Sequence, residues 1–239
     1  MEKVYDGGTN YMKKNVSLCL AFVMLIIFTA CSQNESPDNT IDTTDTANSN
    51  AEETSTLNGN VLIAYFSVPE TDGNDTVSEA SRVVENDKII GNTQYIAQQI
   101  QEETGGDLFA IETQQTYPES HDPLLEFAYE EKANNERPAL SSTIENLDSY
   151  DIIFVGYPNW NADLPMPMYT FFEEHDFSGK TIIPFVTHGG SGFSGTIDTI
   201  AELQPNATII SNGLSISRND VTSSSEEVTD WVNSLNINN

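Results

Sequence analysis

Five short runs of consecutive apolar residues recur along the chain, and longer polar or amphipathic stretches separate them. Runs of this length that are rich in Val, Ile and Phe are typical of strands buried on both faces of a parallel sheet. The predicted strands are 61–66, 108–111, 152–155, 181–186 and 207–210, the last with a continuation near Leu214 and Ile216. Pro184 lies inside the fourth run, and it needs a place where its missing N–H donor is tolerated.

The stretches between the strands predict helices. The first helix follows Gly91 and ends at the Gly105-Gly106 pair, because glycine favours a helix stop. Further helices are predicted at 124–135, 167–175, 195–203 and 225–235. Strands that alternate with helices indicate an α/β fold in which helices cover both faces of a parallel sheet through right-handed crossovers. We therefore predict one doubly wound, five-stranded parallel domain over residues 59–239.

The N-terminal segment has the pattern of a secretory signal peptide. Two lysines precede an apolar run over residues 16–28, and a pair of small residues precedes Cys31. The run is shorter than the roughly 20 residues that span a bilayer, so a permanent transmembrane helix is the weaker interpretation. The segment resembles a bacterial lipoprotein signal, although Phe28 departs from the Leu-like residue usual at its position. We predict that residues 1–30 are removed and that Cys31 is lipidated, on the extracytoplasmic face of a bacterial membrane.

Residues 31–58 form the next segment and consist mainly of Asn, Asp, Glu, Ser and Thr. Such a composition buries too little apolar surface to offset the entropy of ordering, so we predict a disordered acidic and polar tether. Cys19 and Cys31 are the two cysteines of the chain, and both precede the predicted domain. Disulfides, Cys-ligated metal sites and thiol nucleophiles are therefore excluded from residues 59–239.

The chain is strongly acidic, with 9 Lys and Arg residues against 37 Asp and Glu residues and a formal net charge of -28 at pH 7. The negative electrostatic field of such a chain repels phosphate backbones and anionic lipid headgroups. It argues against nucleic acid as a partner and leaves the lipid anchor as the membrane contact. We interpret the charge as the solvated surface of a secreted domain, and a dedicated basic partner is the alternative.

Three loops follow predicted strands, and the carboxyl ends of parallel strands meet at the ligand-binding edge of an open α/β sheet. Ser67 follows the first strand, and Gly91, Asn92 and Thr93 begin the next helix. Their hydroxyls, the glycine and the helix N-terminus suit a phosphate group, whereas a plain helix cap is the alternative. Because the segment contains no lysine, it is not a P-loop of the NTPase type.

The second loop offers an aromatic ring for stacking, and burial of this ring in the core or against a partner is the alternative. The third loop is glycine-rich, so its backbone can approach a ligand closely, although a flexible turn with a solvent-exposed histidine has the same composition. The second loop contains Tyr157, Pro158, Asn159 and Trp160, and the third contains Thr187, His188, Gly189, Gly190, Ser191 and Gly192. The three loops together predict a site for a flat ligand with a phosphate tail.

The motifs in these loops resemble those of the flavodoxin-like family of bacterial flavoproteins, and the resemblance extends over residues 59–235. The matching segments, in the family's order, are 65–67 (Tyr-Phe-Ser), 91–93 (Gly-Asn-Thr), 156–160 (Gly-Tyr-Pro-Asn-Trp), 176–180 (Asp-Phe-Ser-Gly-Lys) and 187–192 (Thr-His-Gly-Gly-Ser-Gly). The resemblance implies strand order 2-1-3-4-5, which flavodoxin itself exemplifies, with FMN at the switch point between strands 1 and 3. Residues 68–88 are an insertion relative to simple flavodoxins, and we consider them part of a substrate wall or a lid.

The resemblance also implies roles for individual residues. The implied cofactor-binding residues are Ser67, Asn92 and Thr93 at the FMN phosphate, Tyr157, Pro158, Asn159 and Trp160 at the isoalloxazine, and Thr187, His188, Gly189, Gly190, Ser191 and Gly192 at the pyrimidine edge. Trp160 would supply the stacked ring. His188 is the candidate catalytic residue, as a donor to a substrate carbonyl or to flavin N5 or O4, and a structural histidine is the alternative. His121 and His175 receive no role.

The implied function is that of an FMN-binding flavoprotein that acts as an electron carrier or as a reductase of small, quinone-like acceptors outside the cytoplasm. Neutral donors near the phosphate, together with the acidic surface, should lower the flavin potential below that of free FMN. A lipoprotein that binds another ligand in the same crevice without redox turnover is the alternative. A metal-dependent hydrolase is disfavoured because no His/Asp cluster with ligand spacing occurs. The motifs identify neither the electron donor nor the acceptor.

Overall fold

The computed structural model describes residues 56–71 and 81–238. The predicted signal peptide, Cys31, nearly all of the predicted tether and part of the insertion lie outside these described residues. Within them, no helix has both the length and the apolar character needed to cross a bilayer.

Strands and helices alternate along the chain in the way that the apolar runs predict. The strands are β1 (Leu57–Asn58), β2 (Val61–Tyr65), β3 (Val83–Glu85), β4 (Lys88–Ile90), β5 (Asp107–Ala110), β6 (Ile152–Pro158), β7 (Thr181–His188), β8 (Thr208–Ile209), β9 (Leu214–Ser217) and β10 (Ile237–Asn238). The α-helices are α1 (Asn92–Thr104), α2 (His121–Asn134), α3 (Met166–Glu174), α4 (Thr196–Leu203) and α5 (Ser225–Ser234). Single turns of 3-10 helix lie at Leu147–Ser149 and Val221–Ser223.

The central sheet has the order β5-β2-β6-β7-β8, and β9 also pairs with β7. Every pairing in this sheet is parallel, so the predicted doubly wound α/β fold is confirmed. Counted along the chain, its five positions run 2-1-3-4-5. The fifth position differs from the single strand predicted, because β8 pairs with the start of β7 and β9 pairs with its end.

The gap between β8 and β9 accommodates Pro184. The Ile182 carbonyl accepts a hydrogen bond of 2.9 Å from the Ile210 N–H, on the β8 side of β7. Because backbone groups alternate sides along a strand, the Pro184 nitrogen faces this same side two residues later. The register places it between Ile209 and Leu214, where neither short strand pairs with β7. The proline therefore lies where no ladder donor is required.

Helices cover both faces of the sheet. The core between the sheet and α1 and α5 contains Ile152 and Phe154, and the core beneath α2, α3 and α4 contains Ile153 and Val155. Successive side chains of β6 thus alternate between two cores, as expected of a strand buried on both faces. Every residue of β6 is buried, which explains the continuous apolar run in this part of the sequence.

Part of the insertion forms a β-hairpin that the polar character of residues 68–88 does not predict. β3 and β4 pair in antiparallel fashion, and Asn86 and Asp87 between them have φ angles of 49° and 61°. Two left-handed residues are the conformation of a tight two-residue hairpin turn. Val83 is buried, whereas Val84 and Ile89 are exposed. Each strand has only 3 residues, too few for an alternating pattern to become visible in the sequence.

The two ends of the domain meet in a separate two-stranded sheet. Leu57 and Asn58, which composition places in the tether, pair in parallel with Ile237 and Asn238. The folded unit therefore includes Leu57, ahead of the boundary predicted at residue 59. Composition does not reveal this pairing because backbone hydrogen bonds do not require apolar side chains.

Candidate cofactor-binding cleft

The carboxyl ends of β2, β6 and β7 lie side by side, and a cleft opens between the loops that follow them. Its cavity volume is about 80 Å³, which is small for a site that binds a small molecule. Its lining residues are Glu70, Ser81, Asn92, His121, Leu124, Leu125, Pro158, Asn159, Trp160, Thr187, His188, Gly189 and Arg218. The sheet thus brings residues of all three predicted loops together at its switch point.

The first loop lies at the start of α1. Asn92 and Thr93 are 2% and 1% exposed, and an added Cβ at Gly91 would collide with Ser67 Oγ. Thr93 Oγ1 lies 2.8 Å from Thr187 Oγ1, which joins the first loop to the third. Asn92 Oδ1 is buried and has no hydrogen-bond partner among the described residues. Ser67 and Thr93 adjoin the cleft without lining it, and the free N–H groups of the helix N-terminus suit an anion there.

Trp160 forms the aromatic side of the second loop. Its ring packs edge-on against Phe66, with centroids 5.4 Å apart and an interplanar angle of 81°. It also packs against Tyr117 at a centroid distance of 5.5 Å. Trp160 is only 8% exposed and still lines the cleft, so it belongs to the core and borders the site at the same time. A ring held by two neighbours is positioned before a ligand binds.

The turn after Trp160 is closed and anchored. Trp160 and Asp163 exchange two backbone hydrogen bonds, and both residues between them have positive φ. Lys132 of α2 lies 3.1 Å from the Asp163 carboxylate and donates to the Asn161 carbonyl at 2.8 Å. The Tyr169 hydroxyl of α3 donates to the same carboxylate at 2.8 Å. Two helices therefore fix the position of this turn.

Tyr157 differs from its neighbours because its side chain does not border the cleft. It is fully buried, and its hydroxyl lies 2.8 Å from Thr196 Oγ1 of α4. Burial raises the pKa of Tyr157 above its ordinary value. The alternation along β6 places Tyr157 on the same core face as Val155. The prediction that Tyr157 lies at the isoalloxazine is therefore corrected: its side chain packs in the core beneath the second loop.

The third loop is held against the second by Asn159. Its backbone N–H donates to the Thr187 carbonyl at 2.8 Å, and its side-chain Nδ2 donates to the Gly192 carbonyl at 2.6 Å. Asn159 Oδ1 is buried without a hydrogen-bond partner among the residues that the structure describes. Gly190 and Gly192 have φ angles of 126° and 58°, which favour glycine. Gly190, Ser191 and Gly192 lie beside the cleft without lining it.

His188 begins this third loop. Its Nδ1 accepts a hydrogen bond of 2.9 Å from the Gly190 N–H, which places the hydrogen of the neutral ring on Nε2. Burial lowers the pKa of His188 below its ordinary value, and Asp220 partly offsets this effect. A neutral ring with hydrogen on Nε2 is chemically able to donate to a bound carbonyl. The donor role of His188 stays a prediction.

Three charged or titratable residues of the cleft have no counterpart among the sequence-based candidates. Glu70 and His121 form a pair in which Oε1 and Nδ1 are 2.8 Å apart. Arg218 follows β9, and its backbone N–H donates to the His188 carbonyl at 2.8 Å. The position of Arg218 after a strand is a signal that could have identified it. Glu70 and His121 are 51 residues apart, and no local pattern joins them.

Comparison with known proteins agrees with this geometry. The family model described as Flavodoxin matches residues 60–235, which is most of the chain. The chain belongs to the flavodoxin family. No curated protein matches it.

Among solved structures, this flavodoxin is similar to a candidate flavoprotein from Bacteroides uniformis ATCC 8492, at 26% identity and a TM-score of 0.52, with 74% of this chain and 99% of that chain covered. A candidate flavoprotein from Bacteroides eggerthii DSM 20697 is 24% identical with a TM-score of 0.51 and coverages of 75% and 99%. A flavoprotein in complex with FMN from Lactobacillus acidophilus NCFM is 18% identical with a TM-score of 0.47 and coverages of 72% and 98%. The two Bacteroides likenesses show a shared fold.

Membership of the family supports FMN as the cofactor, and the residues of the cleft fit this group. Asn92 Oδ1 and Asn159 Oδ1 are buried acceptors that have no partner within residues 56–71 and 81–238, and FMN carries hydroxyl and N–H donors. The α1 N-terminus suits its phosphate, and Trp160 offers an aromatic surface. Among residues 56–71 and 81–238, no group of three or more His, Cys, Asp or Glu side chains could hold a metal ion.

Proposed function

We propose that this flavodoxin is a lipid-anchored electron-transfer protein that reduces small, quinone-like acceptors on the extracytoplasmic face of a bacterial membrane. Membership of the flavodoxin family supports FMN binding and electron transfer in general. The observation that carries the proposal is the cleft itself, because one side offers an aromatic ring and the other offers backbone groups and His188. The lipobox-like segment ending at Cys31 supports the location.

The residues of the cleft would hold FMN by three kinds of contact. The N-terminus of α1 and the Ser67 hydroxyl would hold the phosphate through free N–H and O–H donors. The Trp160 ring would contact the isoalloxazine. Asn159 Oδ1, which has no partner among the described residues, would accept a hydrogen bond from the isoalloxazine. When bound, FMN supplies one- and two-electron redox chemistry. The protein contributes orientation, exclusion of water and the choice of acceptor.

The electrostatics of the chain should lower the FMN potential. The first loop contains neutral donors, and the net charge of -28 disfavours an anionic reduced cofactor. Arg218 lines the cleft, and its positive charge should raise the FMN potential. Arg218→Gln should therefore lower the potential further. Potentiometric titration measures both effects, and a wild-type potential above that of free FMN would contradict the proposed balance.

The FMN chemistry is tested with the full chain purified in detergent. We expect a yellow protein with stoichiometric FMN, a melting temperature that rises with added FMN, and reoxidation of the reduced form by naphthoquinones. A colourless protein whose melting temperature is unchanged in excess FMN would overturn the flavoprotein proposal. It would favour a lipoprotein that binds another ligand without redox turnover.

The location is tested separately by membrane fractionation of bacteria that express the chain. Cys31→Ser should release the protein from the membrane fraction because it removes the proposed lipidation site. Cys19→Ser, within the predicted signal peptide, is the matched control and should leave the protein anchored. Equal fractionation of the two variants would remove the lipid anchor from the proposal.

A further inference from the structure

A buried carboxylate orients a histidine inside the cleft. Glu70 follows β2 at the start of the insertion, and His121 is the first residue of α2. His121 Nδ1 and Glu70 Oε1 are 2.8 Å apart, and the side chains are 28% and 7% exposed. Both residues line the cleft that Trp160 borders. The insertion thus contributes a polar side chain to the candidate active site.

The pair determines which ring nitrogen can meet a ligand. An ionised carboxylate only accepts hydrogen bonds, so Nδ1 of His121 carries the hydrogen that faces Glu70. Nε2 is then the nitrogen available to a bound molecule. The bond to Glu70 is the same whether the ring is neutral or doubly protonated, so the ring can lose a proton from Nε2 without reorienting. A histidine held in this way by a carboxylate is suited to general acid–base work.

The surface next to His121 suits a planar apolar molecule. Leu124 and Leu125 of α2 line the same cleft, together with Pro158 and Trp160. Leu124 is buried, and Leu125 is 41% exposed. A ring that rests on Leu124 and Leu125 would lie beside His121, which lines the same cleft. A quinone combines an apolar ring with carbonyl oxygens that must accept protons on reduction.

We propose that His121, oriented by Glu70, donates a proton to a quinone-type acceptor that FMN reduces, an inference that rests on the proposed function. The acceptor takes a hydride from two-electron-reduced FMN and becomes a hydroquinone monoanion. Its oxygen then takes the Nε2 proton of doubly protonated His121, so that the N–H bond breaks and an O–H bond forms. The products are oxidised FMN, the neutral hydroquinone and neutral His121, which regains a proton from water.

A purely structural role for the pair can be separated from this chemistry. Glu70 and His121 also tie the insertion to α2, but Thr71 provides an independent tie through its backbone N–H, which donates to the Glu119 carbonyl at 2.8 Å. The Thr71 hydroxyl also contacts the Glu119 carboxylate. Thr71 does not line the cleft, so Thr71→Val weakens the tie and leaves the Glu70–His121 pair in place.

The test follows reoxidation of the reduced full chain in detergent by stopped-flow absorbance, with a naphthoquinone or with ferricyanide, which takes an electron without a proton. His121→Gln should slow the quinone reaction by about 10²-fold, the lower end for a lost general acid. Glu70→Gln should slow it less, because the ring remains but loses its orientation. Ferricyanide should reoxidise Thr71→Val at the wild-type rate, and in His121→Gln and Glu70→Gln its reaction should slow much less than the quinone reaction. The solvent isotope effect on the quinone reaction should disappear in His121→Gln.

A second readout does not depend on turnover. Nitrogen-15 NMR of the imidazole should show hydrogen on Nδ1 in the wild type and a mixture of tautomers in Glu70→Gln. Fluorescence titration should give the same FMN dissociation constant for wild type and Thr71→Val, and it establishes the FMN concentration that saturates His121→Gln. If His121→Gln fails to fold, His121→Asn replaces it.

The outcomes distinguish the inference from the proposed function. Wild-type quinone rates in a His121 variant that binds FMN would overturn the inference and leave the flavoprotein function intact. Loss of quinone reduction in Thr71→Val to the same extent as in Glu70→Gln would show a structural tie instead of a positioning residue. Failure of the wild-type chain to bind FMN would overturn the proposed function itself.

Discussion

The two sides of the cleft differ in how far their shape is set before a ligand binds. We call residues 158–163 the tryptophan wall and residues 187–192 the glycine wall. The tryptophan wall packs against two core aromatics and is anchored by side chains of α2 and α3. In the glycine wall, Gly189, Gly190 and Ser191 are exposed, and the contacts that hold it come largely from Asn159 and His188.

This difference assigns separate tasks to the two walls. A rigid aromatic surface contributes affinity because little conformational entropy is lost on binding. A glycine-rich backbone can bring its N–H groups close to a ligand and adjust them to it. We therefore expect changes in the tryptophan wall to alter both folding and FMN binding. Changes in the glycine wall should alter FMN binding with smaller effects on folding.

The largest effect is expected from Trp160→Ala. Truncation of a side chain that is 8% exposed should lower the free energy of unfolding by about 3–5 kcal/mol. It should also weaken FMN binding by ~1–3 kcal/mol, the scale of base–aromatic stacking. Urea unfolding and fluorescence titration measure the two quantities. Trp160→Phe keeps an aromatic ring and should lose less stability and less FMN affinity than Trp160→Ala. An unchanged FMN dissociation constant in Trp160→Ala would show that Trp160 is not part of the site.

Asn159→Ala tests the link between the walls and should have the next largest effect. Loss of the bond to the Gly192 carbonyl should lower the free energy of unfolding by about 1 kcal/mol. Loss of the unpaired Oδ1 should weaken FMN binding by about 1 kcal/mol more. Calorimetry of folding and of FMN binding gives both values. Ser194→Ala is the control, because it removes the acceptor of the 3.1 Å bond and the bond from Ser194 to the Ser191 carbonyl but leaves Asn159 Oδ1 in place. Equal FMN affinities in the two variants would show that Asn159 only stabilises the loop.

The glycine wall should respond to acid through His188. Because the folded-state pKa of His188 lies below the ordinary value of 6.5, its contribution to stability is complete above pH 6.5 and is lost as the pH falls through the folded value. Protonation also turns Nδ1 into a donor, so the Gly190 N–H loses its acceptor at a cost below ~1 kcal/mol. Thermal unfolding of wild type and His188→Asn between pH 8 and about pH 5 should show a smaller decline in the variant. Parallel curves would contradict this account.

The smallest effect is expected at the turn that closes the tryptophan wall. Ala162 has a φ of 58°, a left-handed conformation that glycine adopts more easily. Ala162→Gly should therefore raise the free energy of unfolding by about 0.5 kcal/mol without changing FMN affinity. Asn161→Gly is the control, because asparagine tolerates this conformation and has less strain to relieve. A destabilised Ala162→Gly protein in urea unfolding would show that strain is not stored at this residue.

Much of the fold and part of the cleft could be predicted from the sequence. The apolar runs identified the five positions of the central sheet, most clearly at β2, β6 and β7, which are buried on both faces. The motifs after those runs identified Asn92, Pro158, Asn159, Trp160 and Thr187 because parallel strands end at one edge.

Other features could not be read in this way. The hairpin of β3 and β4 is too short to give a periodic pattern. The burial of Tyr157 follows from the alternation along β6, but the aromatic character of its loop directed attention to the ligand instead.

The sequence by itself determined the parallel sheet and the loops that meet at its edge, because hydrophobic periodicity is a local property of the chain. The tertiary structure decided which side chains meet across those loops. Thr93 and Thr187 are 94 residues apart in sequence, and Glu70 and His121 are 51 apart, yet each pair is joined at 2.8 Å. Such pairs depend on how the helices and the insertion dock on the sheet, and docking is set by packing between distant segments.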